Sequence, residues 1–231
     1  MTESDRIARA YHDLEHRADN RWDPRNRGNQ LILAERRTMT RRLLQQRGWV
    51  PLGERRVLEV GSGYGSELAW LQELGASPSR LVGMDLLPHR VAAAKQAFPA
   101  LEFHAGSAEQ IPFPDRSFDL VQAITLFSSI LDPTMASKVA AEITRVLNPR
   151  GALLWYDFRY NNPSNPDVHG VTERAVRALF PDLIGDLLSL TVVPPLARRL
   201  GRLTPIAYPS LALLPPMRSH LLGLLARAEA A

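Results

Sequence analysis

Along the middle of the chain, short and largely apolar runs at positions 57–60, 81–84, 101–103, 120–124 and 152–155 alternate with stretches whose apolar residues recur at helical spacing. Runs apolar at successive positions, rather than at every second one, predict strands buried on both faces, and such strands joined by helices predict a parallel sheet. Right-handed crossovers then wind the chain into a doubly wound α/β sandwich, with ligands beyond the carboxyl ends of the strands. Upstream, residues 4–17 read as a helix with Ile7, Ala10, Tyr11 and Leu14 on one stripe, 19–29 as a charged, turn-rich loop, and 30–46 as a second helix stopped by Gly48 and Pro51. Downstream, 159–167 reads as a loop, 171–180 as a short helix closed by Pro181, 187–193 as a sixth strand and 219–226 as the last. Pro194-Pro195 and Pro215-Pro216 bracket a segment expected to have little helical freedom, and the Ala-rich end is expected to fray.

A chain of 231 residues with 45% hydrophobic content suits one soluble globular domain. It holds no uncharged apolar run of membrane-spanning length, so no membrane partner is expected, and the leucines at 211–214 and 221–225 are assigned to the core. Nothing before the first strand resembles the apolar region of a secretory signal, and a cytoplasmic location is expected. The absence of cysteine excludes disulfides, thiolate metal ligands and a thiol nucleophile, and no metal site is expected. The sequence pI is about 9.8, yet the net charge is only +4 and acids are interspersed among the arginines. A nucleic-acid footprint concentrates charge on one face, so no nucleic-acid partner is expected; Arg36, Arg37, Arg41, Arg42 and Arg47 are read as a solvated helix face. Monomer and homodimer both remain open.

The first apolar run stops at Glu59-Val60-Gly61-Ser62-Gly63-Tyr64-Gly65, after which helical spacing begins. Glycines here permit positive φ and close approach of a ligand to the main chain, and a helix start offers unpaired N–H donors. The dinucleotide fingerprint places its third glycine at the sixth position, but that position is Ser66 and the third glycine falls early, at Gly65. The next run ends in Asp85, a carboxylate at the sheet edge that can accept from both hydroxyls of a ribose.

Together with Gly106-Ser107-Ala108-Glu109, the passage from Phe113 to Val121 and Arg145-Val146-Leu147-Asn148-Pro149-Arg150-Gly151, these motifs resemble class I S-adenosylmethionine-dependent methyltransferases of the type 11 kind, over roughly 55–158. The resemblance implies a doubly wound seven-stranded Rossmann-like sheet with helices on both faces, an antiparallel last strand and an N-terminal helical lid. The lid is assigned to 1–50 and the S-adenosylmethionine-binding domain to 51–231. It also implies a cofactor site made by Glu59, Gly61, Ser62, Gly63, Gly65, Asp85 on the ribose, Leu86 and Ala108 beside the adenine, and Ala123 at the end of the fourth strand. Ser107 stands where relatives carry an aspartate, and can accept from the adenine amino group without charge. Tyr11, on the lid, is a candidate to close over the sulfonium by cation–π attraction, with a core role as its alternative.

Methyl transfer from a sulfonium needs an aligned nucleophile and excluded water, with a base when the acceptor is a hydroxyl. Candidates lie after the fifth strand: Asp157, Tyr160 and His169, the last for its near-neutral titration. His104 is assigned a structural role. Leu126-Phe127-Ser128-Ser129-Ile130 occupies the place where many relatives carry a histidine; the serines either bind a polar group of the substrate or cap the turn. The adenine-modifying [D/N]-P-P-[Y/F] sequence is missing after the fourth strand, where Asp132-Pro133-Thr134 stands, and this favours a small-molecule acceptor. A hydroxyl oxygen of a sugar or secondary metabolite is the first expectation. N- or C-methylation, or a noncatalytic cofactor-binding protein of the same fold, are the alternatives.

Overall fold

The computed structural model describes residues 2–16, 23–162 and 165–228. Five strands run parallel: β1 (Val57–Val60), β2 (Leu81–Asp85), β3 (Glu102–Ala105), β4 (Phe118–Ile124) and β5 (Leu147–Phe158). Three more follow as β6 (Leu183–Ile184), β7 (Leu187–Val192) and β8 (Arg218–Arg227), and β8 lies antiparallel to β5. The order is β3-β2-β1-β4-β5-β8-β6, with β7 also paired to β8. Because β6 and β7 take opposite ends of the same edge of β8, the eight strands fill the seven positions expected. The edge strand is broken at Gly185, whose φ is 150°, and a Cβ there would lie 2.4 Å from the Leu224 carbonyl oxygen.

Buried apolar residues form a core on each face of the sheet. One joins Val60, Val121 and Trp155 to α5 (Pro133–Val146) and α6 (Glu173–Leu179). The other joins Val57, Leu120 and Leu222 to α2 (Arg27–Gln46), α3 (Ser66–Trp70) and α4 (Pro88–Ala97). Local sequence sets the helix starts: Asn26 accepts from Gly28 and Asn29, Asp132 from Thr134 and Thr172 from Ala175. Asp119 has a structural task, accepting from the Arg56 N–H at 2.9 Å and from Asn148 at 2.7 Å.

Within the expected lid, the two helices take different places. α1 (Glu3–His16) lies across the carboxyl edge, whereas α2 packs on a sheet face against β7 and β8. Of the expected loop at 19–29, residues 19–22 lie outside the described residues, as does the end from 229. The expectation of little helical freedom after Pro194 is corrected, because α7 (Pro194–Arg199) and α8 (Thr204–Ala212) form there. Pro194, Pro195 and Pro205 sit in the first turn, where the missing N–H has no intrahelical partner to lose, while Pro209 lies inside α8. Arg36 and Arg37 are also corrected: both pair with Glu67 instead of facing solvent, and the Arg36 guanidinium lies 5.1 Å from the centre of the Tyr156 ring.

Candidate functional site

The turn after β1 is shaped by three left-handed glycines, with φ of 77° at Gly61, 53° at Gly63 and 81° at Gly65. The N–H groups of Gly61 and Ser62 both donate to the Met84 carbonyl, tying the turn to β2. Gly63 N–H then donates to Asp85 Oδ2 at 2.8 Å, and Leu87 N–H to Asp85 Oδ1 at 2.9 Å. The carboxylate is thus fixed by two backbone donors, and each oxygen keeps a lone pair for a further donor. Ser62 Oγ, buried beside this turn, has no protein partner among the described residues. A fixed acceptor pair, an unpartnered hydroxyl and a turn with three glycines fit the ribose and methionine parts of S-adenosylmethionine. Next to Asp85, the Gly106 N–H donates to its carbonyl and brings in Ser107, whose Oγ accepts from Glu109 N–H at 3.2 Å. An open groove of about 680 Å³ adjoins it, lined by Met84, Gly106, Ser107, Ile111 and Phe113. Leu86 and Ala108 are half-buried against the same core.

Glu59 and Ala123 are placed differently from these. Glu59 points to the α2 face, in register with Gln122, and burial followed by the Glu67 charge pushes its carboxyl well above the usual range. Its Oε2 has no partner among the described residues. Ala123 is buried in the sheet between Val60 and Trp155 and offers no polar group. Leu126 hangs over the turn, its Cδ1 3.1 Å from where a Gly61 Cβ would be.

Two of the residues expected on the acceptor side, Asp157 and His169, gather around the turn that follows β4. Thr125, β-branched, holds a φ of 51°, and Phe127–Ser129 coil into a short 3₁₀ turn. Asp157 Oδ2 accepts from the Ser128 N–H at 3.0 Å and its Oδ1 from the Phe158 N–H at 2.8 Å; burial raises its pKa to about 6 against these bonds. His169 N–H donates to the Ser128 carbonyl at 2.9 Å. Burial lowers its pKa, and its Nδ1 has no partner among the described residues. Tyr160 is not brought in: its ring is 43% exposed, stacked under the Arg159 guanidinium at 4.6 Å. His104 pairs with Glu102.

The first helix bridges the two halves. At its start, Glu3 accepts from Leu131 N–H and Arg6 donates to the Ser129 carbonyl, both at 2.5 Å. At its end, Glu15 accepts from Arg90 at 2.7 Å, Tyr64 OH at 3.0 Å and His89 at 3.0 Å. Between them, Tyr11 OH and Ser129 Oγ are 2.8 Å apart, and the Arg90 guanidinium covers the Tyr11 ring at 4.3 Å. Burial raises the phenol pKa, and the charges of both Asp157 and Asp85 add to the rise.

Sequence reasoning missed a second buried polar group on the α2 face. Tyr208 OH donates to Glu35 at 2.7 Å, Thr191 N–H donates to the same carboxylate at 3.0 Å, and Thr191 Oγ1 lies 3.0 Å from Tyr156 OH. His220 stacks on Tyr156 with ring centres 4.6 Å apart. No spacing in the sequence signals this set, because its members come from five different elements, α2, β5, β7, α8 and β8. Among the described residues no group of His, Cys, Asp or Glu could hold a metal ion, and no helix is long and apolar enough to cross a membrane.

Comparison with known proteins agrees with this arrangement. Residues 58–155 match a family model described as a methyltransferase domain. A phthiotriol/phenolphthiotriol dimycocerosates methyltransferase of Mycobacterium leprae is 36% identical over 115 residues, 49% of this chain and 41% of that protein. A demethylmenaquinone methyltransferase of Chlorobaculum parvum is 34% identical over 116 residues, 49% of this chain and 45% of its own length. The aligned region thus spans less than half of either relative. Among solved structures, a Burkholderia thailandensis 1,6-didemethyltoxoflavin-N1-methyltransferase with bound S-adenosylhomocysteine aligns over 98% of this chain and 87% of that one, with a TM-score of 0.63 at 17% identity, a likeness of fold. Residues 58–155 thus resemble a methyltransferase domain, and the fold built around them is like that of S-adenosylmethionine-dependent methyltransferases of known structure.

Proposed function

We propose that the chain transfers a methyl group from S-adenosylmethionine to a hydroxyl oxygen of a small molecule. The observation that carries the cofactor part is Asp85, immobilised by the N–H groups of Gly63 and Leu87 with one lone pair left on each oxygen. S-adenosylmethionine, when bound, supplies a methyl group already activated on a sulfonium. The protein's task is then to hold the acceptor in line, keep water out and receive a proton.

α1 supplies the exclusion of water, being fastened by Glu3 and Arg6 beyond β4 and by Glu15 beside the glycine turn. His169 is the candidate base. Burial keeps it neutral near pH 7, and Nδ1 is free to take the proton of an acceptor hydroxyl. Asp157, held rigid by Ser128 and Phe158, positions the turn that carries the Ser128 carbonyl to His169. Tyr11 and Ser129 offer a paired hydroxyl contact between the two halves. The relatives named above act on the acceptors in their names, and those differ, so the acceptor class rests on the arrangement of base and hydroxyls alone.

Two measurements test the reading. Calorimetry should show S-adenosylmethionine binding that weakens roughly a hundredfold in Asp85→Ala, the loss of about 3 kcal/mol expected from charge-assisted hydrogen bonds. Turnover to S-adenosylhomocysteine with a panel of hydroxylated acceptors should follow, and His169→Gln should remove the acid limb of its pH profile. Binding without turnover across amine, carbon and hydroxyl acceptors would instead favour a cofactor-binding protein that does not transfer methyl groups.

A further inference from the structure

The segment between β7 and β8 shows solvent a face that a water-exposed protein surface does not need. β7 ends at Val192, paired with Arg218, at the same sheet edge where Phe158 of β5 pairs with His220. α7 and α8 therefore start from the carboxyl edge, and they pack on α2 and β7. Tyr208 anchors α8 from beneath, through Glu35 and through packing with Val192 and Ala197. On the outer side, Leu203 is 66% exposed, Ile206 76%, Leu213 75% and Leu214 51%. Leu203, Ile206 and Leu213 stand three and seven residues apart and so form one stripe. The expectation that 211–214 belong to the core thus fails for Leu213 and Leu214, while Leu221, Leu222 and Leu225 are buried as expected.

We propose that this stripe docks on an anionic lipid bilayer. Charge decides between occupants. From 194 to 218 the chain carries arginines and no aspartate or glutamate, and Arg199 and Arg202 are exposed beside the stripe. A two-fold contact with a second copy would set these cations against their own mates, because the same patch faces itself. A bilayer accepts the apolar side chains at the headgroup boundary and offers phosphates to the guanidinium groups. Exposed Pro205, Pro209, Pro215 and Pro216 bring no N–H to desolvate, and Ser210, also exposed, donates its hydroxyl to the Ile206 carbonyl. An acceptor dissolved in the bilayer would then reach the site along this edge. That consequence rests on the methyl-transfer reading, whereas the docking does not.

Sedimentation with vesicles of phosphatidylcholine, alone or mixed with phosphatidylglycerol, tests it without cofactor. The chain should partition onto the mixed vesicles and lose that affinity as salt rises. Ile206→Asp with Leu213→Asp should lower partitioning by more than about tenfold, and Arg199→Ala or Arg202→Ala by about fivefold each. S-adenosylmethionine affinity in these variants, measured by calorimetry without vesicles, should stay at the wild-type value and so report an intact fold. No sedimentation with mixed vesicles, or sedimentation unchanged by the aspartates, overturns the proposal. So does a wild-type dimer in analytical ultracentrifugation that the aspartates dissolve without any lipid affinity, which would assign the stripe to a second copy.

Discussion

Acidification sets two buried groups of the β5–β8 pair against each other. His220, stacked on Tyr156 with ring centres 4.6 Å apart and close to Phe158 at 4.1 Å, is held neutral: burial, then the charges of Arg36 and Arg198, lower its pKa from 6.5 to about 3. The unfolded chain takes up that proton below 6.5 and the folded chain does not, so stability falls with pH. From about pH 7 to about pH 5 the loss is about 2 kcal/mol. Asp157 has the opposite sign. Burial raises its pKa from 3.8 to about 6, so the folded state binds a proton that the unfolded state releases. Its contribution therefore grows as pH falls through 6, by about 1 kcal/mol over the same interval. Together the two leave a net loss of about 1 kcal/mol, and single variants separate them. Relative to wild type, His220→Gln should gain about 2 kcal/mol on going from about pH 7 to about pH 5, and Asp157→Asn should lose about 1 kcal/mol. Urea unfolding at the two pH values measures both. Each variant's offset at neutral pH reports its packing, while the change with pH reports the titration alone, because all other groups titrate in common. A gap between wild type and His220→Gln that is equal at both pH values would refute the picture of a buried neutral imidazole.

The glycine turn and the lid give further tests. Gly65→Ala should destabilise by roughly 2 kcal/mol or more, since φ is 81° and the new Cβ would stand 2.7 Å from Phe103 Cζ; thermal melting reads this directly. Asp85→Asn should weaken S-adenosylmethionine binding nearly as much as alanine, because its amide NH₂ must face the N–H of Gly63 or Leu87, and calorimetry would expose a conservative effect. A double-mutant cycle of Tyr11→Phe with Ser129→Ala should return a coupling of about 1 kcal/mol in urea unfolding, and a coupling near zero would mean that the 2.8 Å contact does not fasten the lid.

The cofactor half of the site is legible in the sequence because the backbone dictates it. Gly61, Gly63 and Gly65 all hold φ values that other residues tolerate poorly, and Asp85 stands at a strand end beside them, so motif and geometry are nearly one fact. β1, β2 and β4 are legible for a similar reason, since burial on both faces leaves little polar alternation to misread, whereas the edge strand β3 exposes Glu102 and Ala105. Other contacts follow no local pattern: Tyr11 meets Ser129 beside the turn after β4 across 118 positions, and on the α2 face Thr191 meets Glu35 across 156. The prolines after β7 mislead in a physical way. Read as obstacles, they deny helices to 194–216; Pro194, Pro195 and Pro205, in the first turn of α7 and α8, cost no hydrogen bond and help to start both, and only Pro209 interrupts α8 from within. The apolar residues they carry then follow helical spacing and divide between Tyr208 below and Ile206 above, a division that exists only once α8 has formed and been seated on Glu35. α1 and α7–α8 thus take their places from tertiary contacts, whereas the glycine turn is set by local backbone geometry, and segments of the first kind can vary on such a sheet while the turn stays the same.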